Sequence, residues 1–303
     1  MNFKNIFITI VCLTLISCAN SSEIKNNSPK IEGFWNRLGT IQLVNGIHVD
    51  TSYIKDSEDP SFKQLKVFKD GNMIWLNNYK DTLSPWKGGS GGYGKYKINS
   101  KDSITERISH GTGRWGAMVK NYKDSLNLSA WTFGLETNIN ENFYSQKNSP
   151  NSKFAEYWER MPRLESNTKI DGAWKRVYQI NYVNGIAVDT VSVPNDAVLD
   201  VKVMSRGNYT YQVDLTGISD PEEPQYGGFG GFGTFEYDSD KMVLVEYQEW
   251  GSGTSTGSAA PKTNPVYHDI KFYNDDLFIQ IGKDTLGATS NQAGRGLVYK
   301  RIK

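Results

Sequence analysis

Apolar and polar residues alternate along most of the chain with the two-residue period that places successive side chains on opposite faces of a β-strand. The runs are short and are broken by Asn, Asp and Gly. They predict strands over 40–44 and 48–53 joined by Asn45-Gly46, a pair that accepts positive φ and closes a two-residue hairpin. Strands over 64–68 and 73–77 follow across Asp70-Gly71-Asn72, and a glycine-rich stretch then leads to 94–98, 103–109, 117–122, 125–131 and 154–160. A second series runs 200–204, 209–213, 233–237, 242–250, 266–273, 276–281 and 296–302. No long stretch carries the helical period, so the chain reads as all-β.

The second series repeats the first. Residues 31–51 and 170–190 align without a gap at an offset of 139, with 12 of 21 positions identical. The shared residues include Gly33/Gly172, Trp35/Trp174, Arg37/Arg176 and the Val-Asn-Gly-Ile turn. A period this long marks a domain, since solenoid units run to about 20–50 residues. The chain therefore divides into units over 31–163 and 164–303, each of about eight strands in meander order. Such a meander closes into a barrel, which removes exposed sheet edges. The join over 161–168 is short and lets the barrels touch. Each half is nonetheless long enough to bury its own core, so 31–163 and 167–303 are expected to fold separately.

What precedes the first unit is an address. Lys4 begins a positively charged start and residues 6–16 are almost wholly apolar, a run too short for the roughly 20 residues that span a bilayer. Leu15-Ile16-Ser17-Cys18 resembles the lipobox of bacterial lipoproteins. That resemblance implies a signal peptide over 1–18, with Cys18 lipidated and made the first residue of the mature chain. Residues 19–30 are polar and read as a flexible tether. No Asp follows Cys18, which by analogy with lipoprotein sorting implies the outer membrane. The one other cysteine, Cys12, lies inside the signal, so the exported chain has no disulfide and relies on core packing and ladder hydrogen bonds.

Composition narrows the class of partner. Lys and Arg number 34 against 33 Asp and Glu, with no basic stripe, so nucleic-acid binding has little electrostatic support. The 8 Trp, 17 Tyr and 13 Phe suit a ring-filled β core.

Each unit opens on Gly-x-Trp, at Gly33–Trp35 and Gly172–Trp174, and closes on aromatic-x-Arg, at Trp158–Arg160 and Tyr299–Arg301. In this the chain resembles the lipocalin-like domains of bacterial lipoproteins. The resemblance implies a barrel whose first-strand Trp packs at the closed end under the last-strand Arg. Trp35, Arg160, Trp174 and Arg301 are then structural. The chain departs from secreted lipocalins in lacking disulfides and an evident helix before the last strand.

Candidate chemistry is sparse. Gly88–Tyr96 reads GGSGGYGKY and falls one residue short of a phosphate loop, because Tyr96 stands where Ser or Thr would hold magnesium. It leads into an alternating strand rather than a helix, and its counterpart over 227–235 has Thr234 for Lys95. It reads as a glycine-rich loop and bend, or else as a flap over the barrel mouth with Tyr93 and Phe232 at its tips. Beyond it lie Glu106, Arg107 and Trp115 in the first unit and Glu246 and Trp250 in the second. Alternation puts Glu106 on the face of Ile104, and Glu246 on that of Leu244, hence inward, where a carboxylate needs a partner. Either structural pairing or a polar anchor for a ligand would supply one. His48, His110 and His268 lack metal-ligand spacing, and no nucleophile elbow is present. No cofactor, metal or catalytic residue is expected.

The sequence thus predicts a membrane-anchored lipoprotein of two tandem lipocalin-like barrels that binds a small apolar or amphipathic molecule without catalysis. An envelope module with filled barrels, meeting a protein or a glycan, is the alternative, and a glycan-acting enzyme the second. Nothing in the sequence specifies an oligomeric state.

Overall fold

Among the described residues, nine strands build the first half: β1 (Gly33–Val44), β2 (Ile47–Tyr53), β3 (Gln64–Lys69), β4 (Asn72–Asn77), β5 (Ser90–Ser100), β6 (Ser103–Thr112), β7 (Thr132–Ile139), β8 (Phe143–Lys147) and β9 (Phe154–Arg160). The second half repeats them as β10 (Gly172–Val183), β11 (Ile186–Ser192), β12 (Leu199–Ser205), β13 (Asn208–Asp214), β14 (Gly228–Asp238), β15 (Val243–Gly253), β16 (Val266–Asn274), β17 (Leu277–Gly282) and β18 (Arg295–Arg301). The structure is a computed structural model that describes residues 31–59, 61–78, 89–112, 132–183, 186–193, 199–214, 228–253, 265–283 and 294–303.

The long first strand of each half organises its barrel. Residues 33–36 of β1 pair with β3, residues 35–42 pair with β9, and residues 39–44 pair with β2. The β1–β9 pairing closes a ring of eight antiparallel strands, β1 with β3 to β9, and leaves β2 as an extra strand on a projecting hairpin. Bulges at residues 37–39 and 42–43 let one strand serve three partners. Asn45 and Gly46 close the hairpin at φ 52° and 79°, the left-handed values that this turn requires. β10 repeats the arrangement with β11, β12 and β18.

Rings fill one end of each barrel. In barrel 1 Trp35, Phe68, Met73, Ile104, Tyr144 and Trp158 pack together, with Trp35 edge-on to Tyr144 at 4.7 Å. In barrel 2 Trp174 meets Phe278 in the same way at 4.7 Å, amid Met204, Tyr209, Leu244 and Tyr299.

A third core lies between the barrels. Leu65 and Val67 of β3, Ile74 and Leu76 of β4 and Tyr93 of β5 pack against Leu199, Val201 and Val203 of β12 and against Phe232 and Trp250. The outward faces of these strands are therefore as buried as their inward faces, and β12 is buried along its whole length. Ser252 Oγ donates across the seam to Ser90 O at 3.1 Å. Asn208 Nδ2 donates to Pro162 O at 2.7 Å and ties the linker to barrel 2.

Two expectations change, and one cannot be compared. The glycine-rich segments, read as loops or flaps, are the first halves of strands β5 and β14, which run on into the expected strands over 94–98 and 233–237, and their glycines are there for close approach. A Cβ on Gly92 would strike the Trp75 indole, and one on Gly230 would meet Leu76 of the other barrel at 2.8 Å. Strands β7 and β8, and the N-terminal extension of β1, are absent from the sequence reading. The strands expected over 117–122 and 125–131 lie outside the described residues.

Candidate functional site

The closed ends are built alike. Trp35 Nε1 donates to Ile31 O at 2.7 Å and Trp174 Nε1 to Ile170 O at 2.8 Å, so neither buried indole loses its hydrogen bond. The guanidinium carbons of Arg160 and Arg301 each lie 4.0 Å from the centroid of the Trp ring beneath. A cation over an indole contributes about 0.5–2 kcal/mol. Arg160 also donates to Glu32 O and Glu141 O, and Arg301 to Asp171 O and Asp275 O, which staples the last strand over the first. The glycine of Gly-x-Trp now has its reason. Gly33 and Gly172 sit at φ +134° and +148°, and a Cβ on either would collide with the arginine above.

Above the rings, each lumen holds a buried ion pair. Lys66 of β3 donates to both carboxylate oxygens of Glu106 at 3.0 and 3.2 Å and to Gln146 Oε1 at 3.0 Å. Lys202 of β12 donates to Glu246 Oε1 at 2.6 Å and to Gln280 Oε1 at 3.2 Å. Lys66 is 5% exposed and Glu106 4%, so both charges are out of water and each depends on the other. Trp158 and Phe68 flank the Lys66 ammonium at 5.4 and 5.9 Å, as Tyr299 and Tyr209 flank Lys202 at 5.5 and 5.7 Å.

The two lumens differ around that pair. In barrel 1, Gln146 Nε2 donates to Glu156 at 2.6 Å, and Glu156 pairs with Arg37 at 3.1 Å. In barrel 2, Arg176 takes its acid from β12, with Asp200 at 2.8 Å, while His268 lies 3.5 Å from Glu246 and 3.1 Å from Gln280. Burial pushes the Glu106 carboxyl up and Lys66 pulls against it. Burial of Glu246 is outweighed by Lys202 and then His268, which hold it down at about 2. In barrel 1 the polar groups border a cavity of about 260 Å³ at the mouth, with Trp75, Ile108, Phe133 and Leu135 opposite Lys66, Glu106, Gln146 and Glu156.

Of the residues singled out from the sequence, Glu106 and Glu246 point into the lumens. Arg107 follows Glu106 on the strand, faces outward and is exposed, so it takes no part in the site. Tyr93 and Phe232 are 7% and 1% exposed and belong to the seam, where flap tips would be mobile and open. Tyr93 OH donates to Asn72 Oδ1 at 2.9 Å. Trp250 packs on Phe232 at 6.0 Å and borders a cleft of about 620 Å³ with Tyr53, Phe143 and Tyr157. Trp115 and Cys18 lie outside the described residues. Sequence reasoning missed Lys66, Lys202, Gln146 and Gln280. Their signal was the repeat itself, since Lys66 and Lys202 share one place in a Val-rich strand. Among the described residues no three His, Cys, Asp or Glu side chains converge as a metal cluster. No protein-family model matches the chain, and no curated protein matches it either.

Proposed function

We propose that the protein is a lipid-anchored envelope lipoprotein whose first barrel, lipocalin-like in form, binds a small amphipathic molecule at its mouth. The cavity of about 260 Å³ over the Lys66–Glu106–Gln146 cluster carries this reading. Its floor offers charged and amide groups while Trp75 and Phe133 offer flat apolar walls, the mixture that fixes a ligand's orientation. The volume equals that of roughly nine liquid waters, which suits a compact ligand better than a long acyl chain. Binding is favoured over catalysis because Glu106 and Glu156 are each committed to a base, Lys66 and Arg37. The anchor is the acylated Cys18, in the outer membrane.

The two halves of the reading have separate tests. Cys18→Ala is expected to move the protein from the membrane to the soluble fraction, and unchanged membrane fractionation would refute the anchor. For the ligand, native mass spectrometry of residues 24–303 purified gently from the host is expected to show an added mass of a few hundred daltons, lost in Trp75→Ala. A clean protein mass in both would refute the mouth as a ligand site.

One observation favours interaction with another envelope molecule as a second reading. The projecting hairpins expose Val44, Ile47 and Val49 at 51%, 68% and 54%, and Val183, Ile186 and Val188 at 55%, 69% and 58%. These residues belong to the most strongly repeated stretch of the chain, yet no core packing demands them. Crosslinking through the hairpin tips in the native envelope would capture the partner.

A further inference from the structure

Four cationic side chains, Lys69, Arg160, Arg163 and Arg206, line a pocket of about 210 Å³ at the seam, beside the point where the chain enters barrel 1. Glu32 is the one acid among its lining residues. The volume is that of roughly seven liquid waters, enough for a phosphate group.

The guanidinium groups are held from behind by backbone. Arg160 donates to Glu32 O at 2.7 Å and Glu141 O at 2.6 Å, and Arg206 donates to Leu164 O at 2.5 Å and to Glu165 O. Two carboxylates outside the lining stand close by: Glu141 acts on Arg160, and Asp171 accepts from Arg206 N at 2.8 Å and acts on Lys69. The carboxylate contacts of the other two are long, 3.9 Å for Arg163 to Glu141 and 3.6 Å for Lys69 to Asp70. Glu32 already accepts from Tyr96 OH at 3.1 Å and from Asp70 N at 3.3 Å. Crowding is felt at Arg160, drawn down to about 10 by burial and then by Arg163 and Arg206, with Glu141 pulling the other way.

Barrel 2 provides the comparison. Arg301 occupies the place of Arg160, but there the Asp276 carboxylate lies 3.4 Å from Arg301 Nε and 2.6 Å from Lys303. The backbone N–H of Arg301 bonds to Asp276 O, and that of Arg160 bonds to Asn142 O. The two positions correspond, so barrel 1 carries a neutral Asn where barrel 2 carries an acid.

We propose that the seam pocket binds a phosphate-bearing anion, either free phosphate or the headgroup of an anionic lipid. Guanidinium groups suit phosphate because their fork of donors matches its oxygens. The lipid source rests on the Cys18 anchor. Glu32 on the pocket wall stands only 14 residues after Cys18, close along the chain to the proposed attachment point.

The test uses residues 19–303 without the acyl group. Calorimetric titration with inorganic phosphate at constant ionic strength, against chloride, reads the anion. Co-sedimentation with phosphatidylglycerol and phosphatidylcholine vesicles reads the lipid. Lys69→Gln, Arg163→Gln and Asn142→Asp leave the barrel-closing arginine in place. Each is expected to weaken phosphate binding about tenfold with an unchanged melting temperature. A preference for phosphatidylglycerol that the variants abolish identifies a headgroup, and phosphate binding without that preference identifies a soluble anion. Phosphate binding no tighter than chloride with no vesicle preference, or binding unchanged in all three variants, would overturn the proposal.

Discussion

Lys66 and Glu106 show how far one pair of residues shapes a barrel. Two charges taken out of water at 3.0 Å gain from each other roughly what their desolvation costs, so the pair adds little net stability, while half of it alone is costly. Lys66→Ala is therefore expected to destabilise the protein by about 3–5 kcal/mol, whereas Lys66→Met with Glu106→Leu stays within about 1 kcal/mol of the wild type or exceeds it. Denaturant titration of the three proteins measures both; a double variant as weak as the single would mean the pair is favourable in itself. Barrel 2 adds a pH dependence. Glu246 is held at about 2 when folded, below its ordinary value of 4.5 in an open chain. Its contribution is fully present above about pH 4.5 and drains away as pH falls towards 2, amounting to about 3 kcal/mol. The stability gap between wild type and Glu246→Gln should narrow over that window; a gap that is flat with pH would show that Glu246 is not held low. Alternation alone put both acids inward, whereas Arg107, taken with them as a candidate contact, turns out to face solvent. It left Lys66 unread, because a lone Lys among Leu65, Val67 and Phe68 looks like the solvent side of an ordinary strand.

At the level of elements, that ambiguity has a physical source. A period of two says that the faces differ, and only the rest of the molecule says which one is wet. In β3 and β12 the valines face outward because a second barrel covers them, and the lysines face a lumen that supplies acids. The hairpins were legible for the opposite reason: Asn45-Gly46 encodes its turn locally, with no tertiary help. The glycine-rich first halves of β5 and β14 were not, since glycine ordinarily weakens a strand. Here it clears space for Trp75 in one barrel and, at Gly230, for Leu76 arriving from the other. Such glycines answer to neighbours far away in sequence. β7, with its Gly134 and the charged Glu136 amid polar neighbours, carried too weak an alternation to be read.

The seam decides how the whole molecule behaves. Interfaces between domains of one chain are typically polar enough to permit relative motion, and a large apolar one forbids it. This seam buries Leu65, Val67, Ile74 and Leu76 of one barrel against Val201, Val203, Phe232 and Trp250 of the other. Each such side chain contributes about 1.5–3 kcal/mol when removed from water. Length alone suggested that residues 31–163 and 167–303 fold independently, but either half expressed alone uncovers this face. The strands of each ring close within their own half, so the isolated halves are expected to keep their β circular dichroism. They should also bind an apolar dye, self-associate in sedimentation, and form a one-to-one complex when mixed. Leu76→Lys, which places a charge against Gly230, should abolish that complex without unfolding its own barrel. Monomeric, dye-negative halves that ignore each other would show that the barrels move freely. A rigid seam is also what the cationic pocket requires, because Arg206 of barrel 2 and Arg160 of barrel 1 line one cavity only while the barrels hold this pose. Loss of phosphate binding in Leu76→Lys would then report separation of the barrels, with every pocket residue still present.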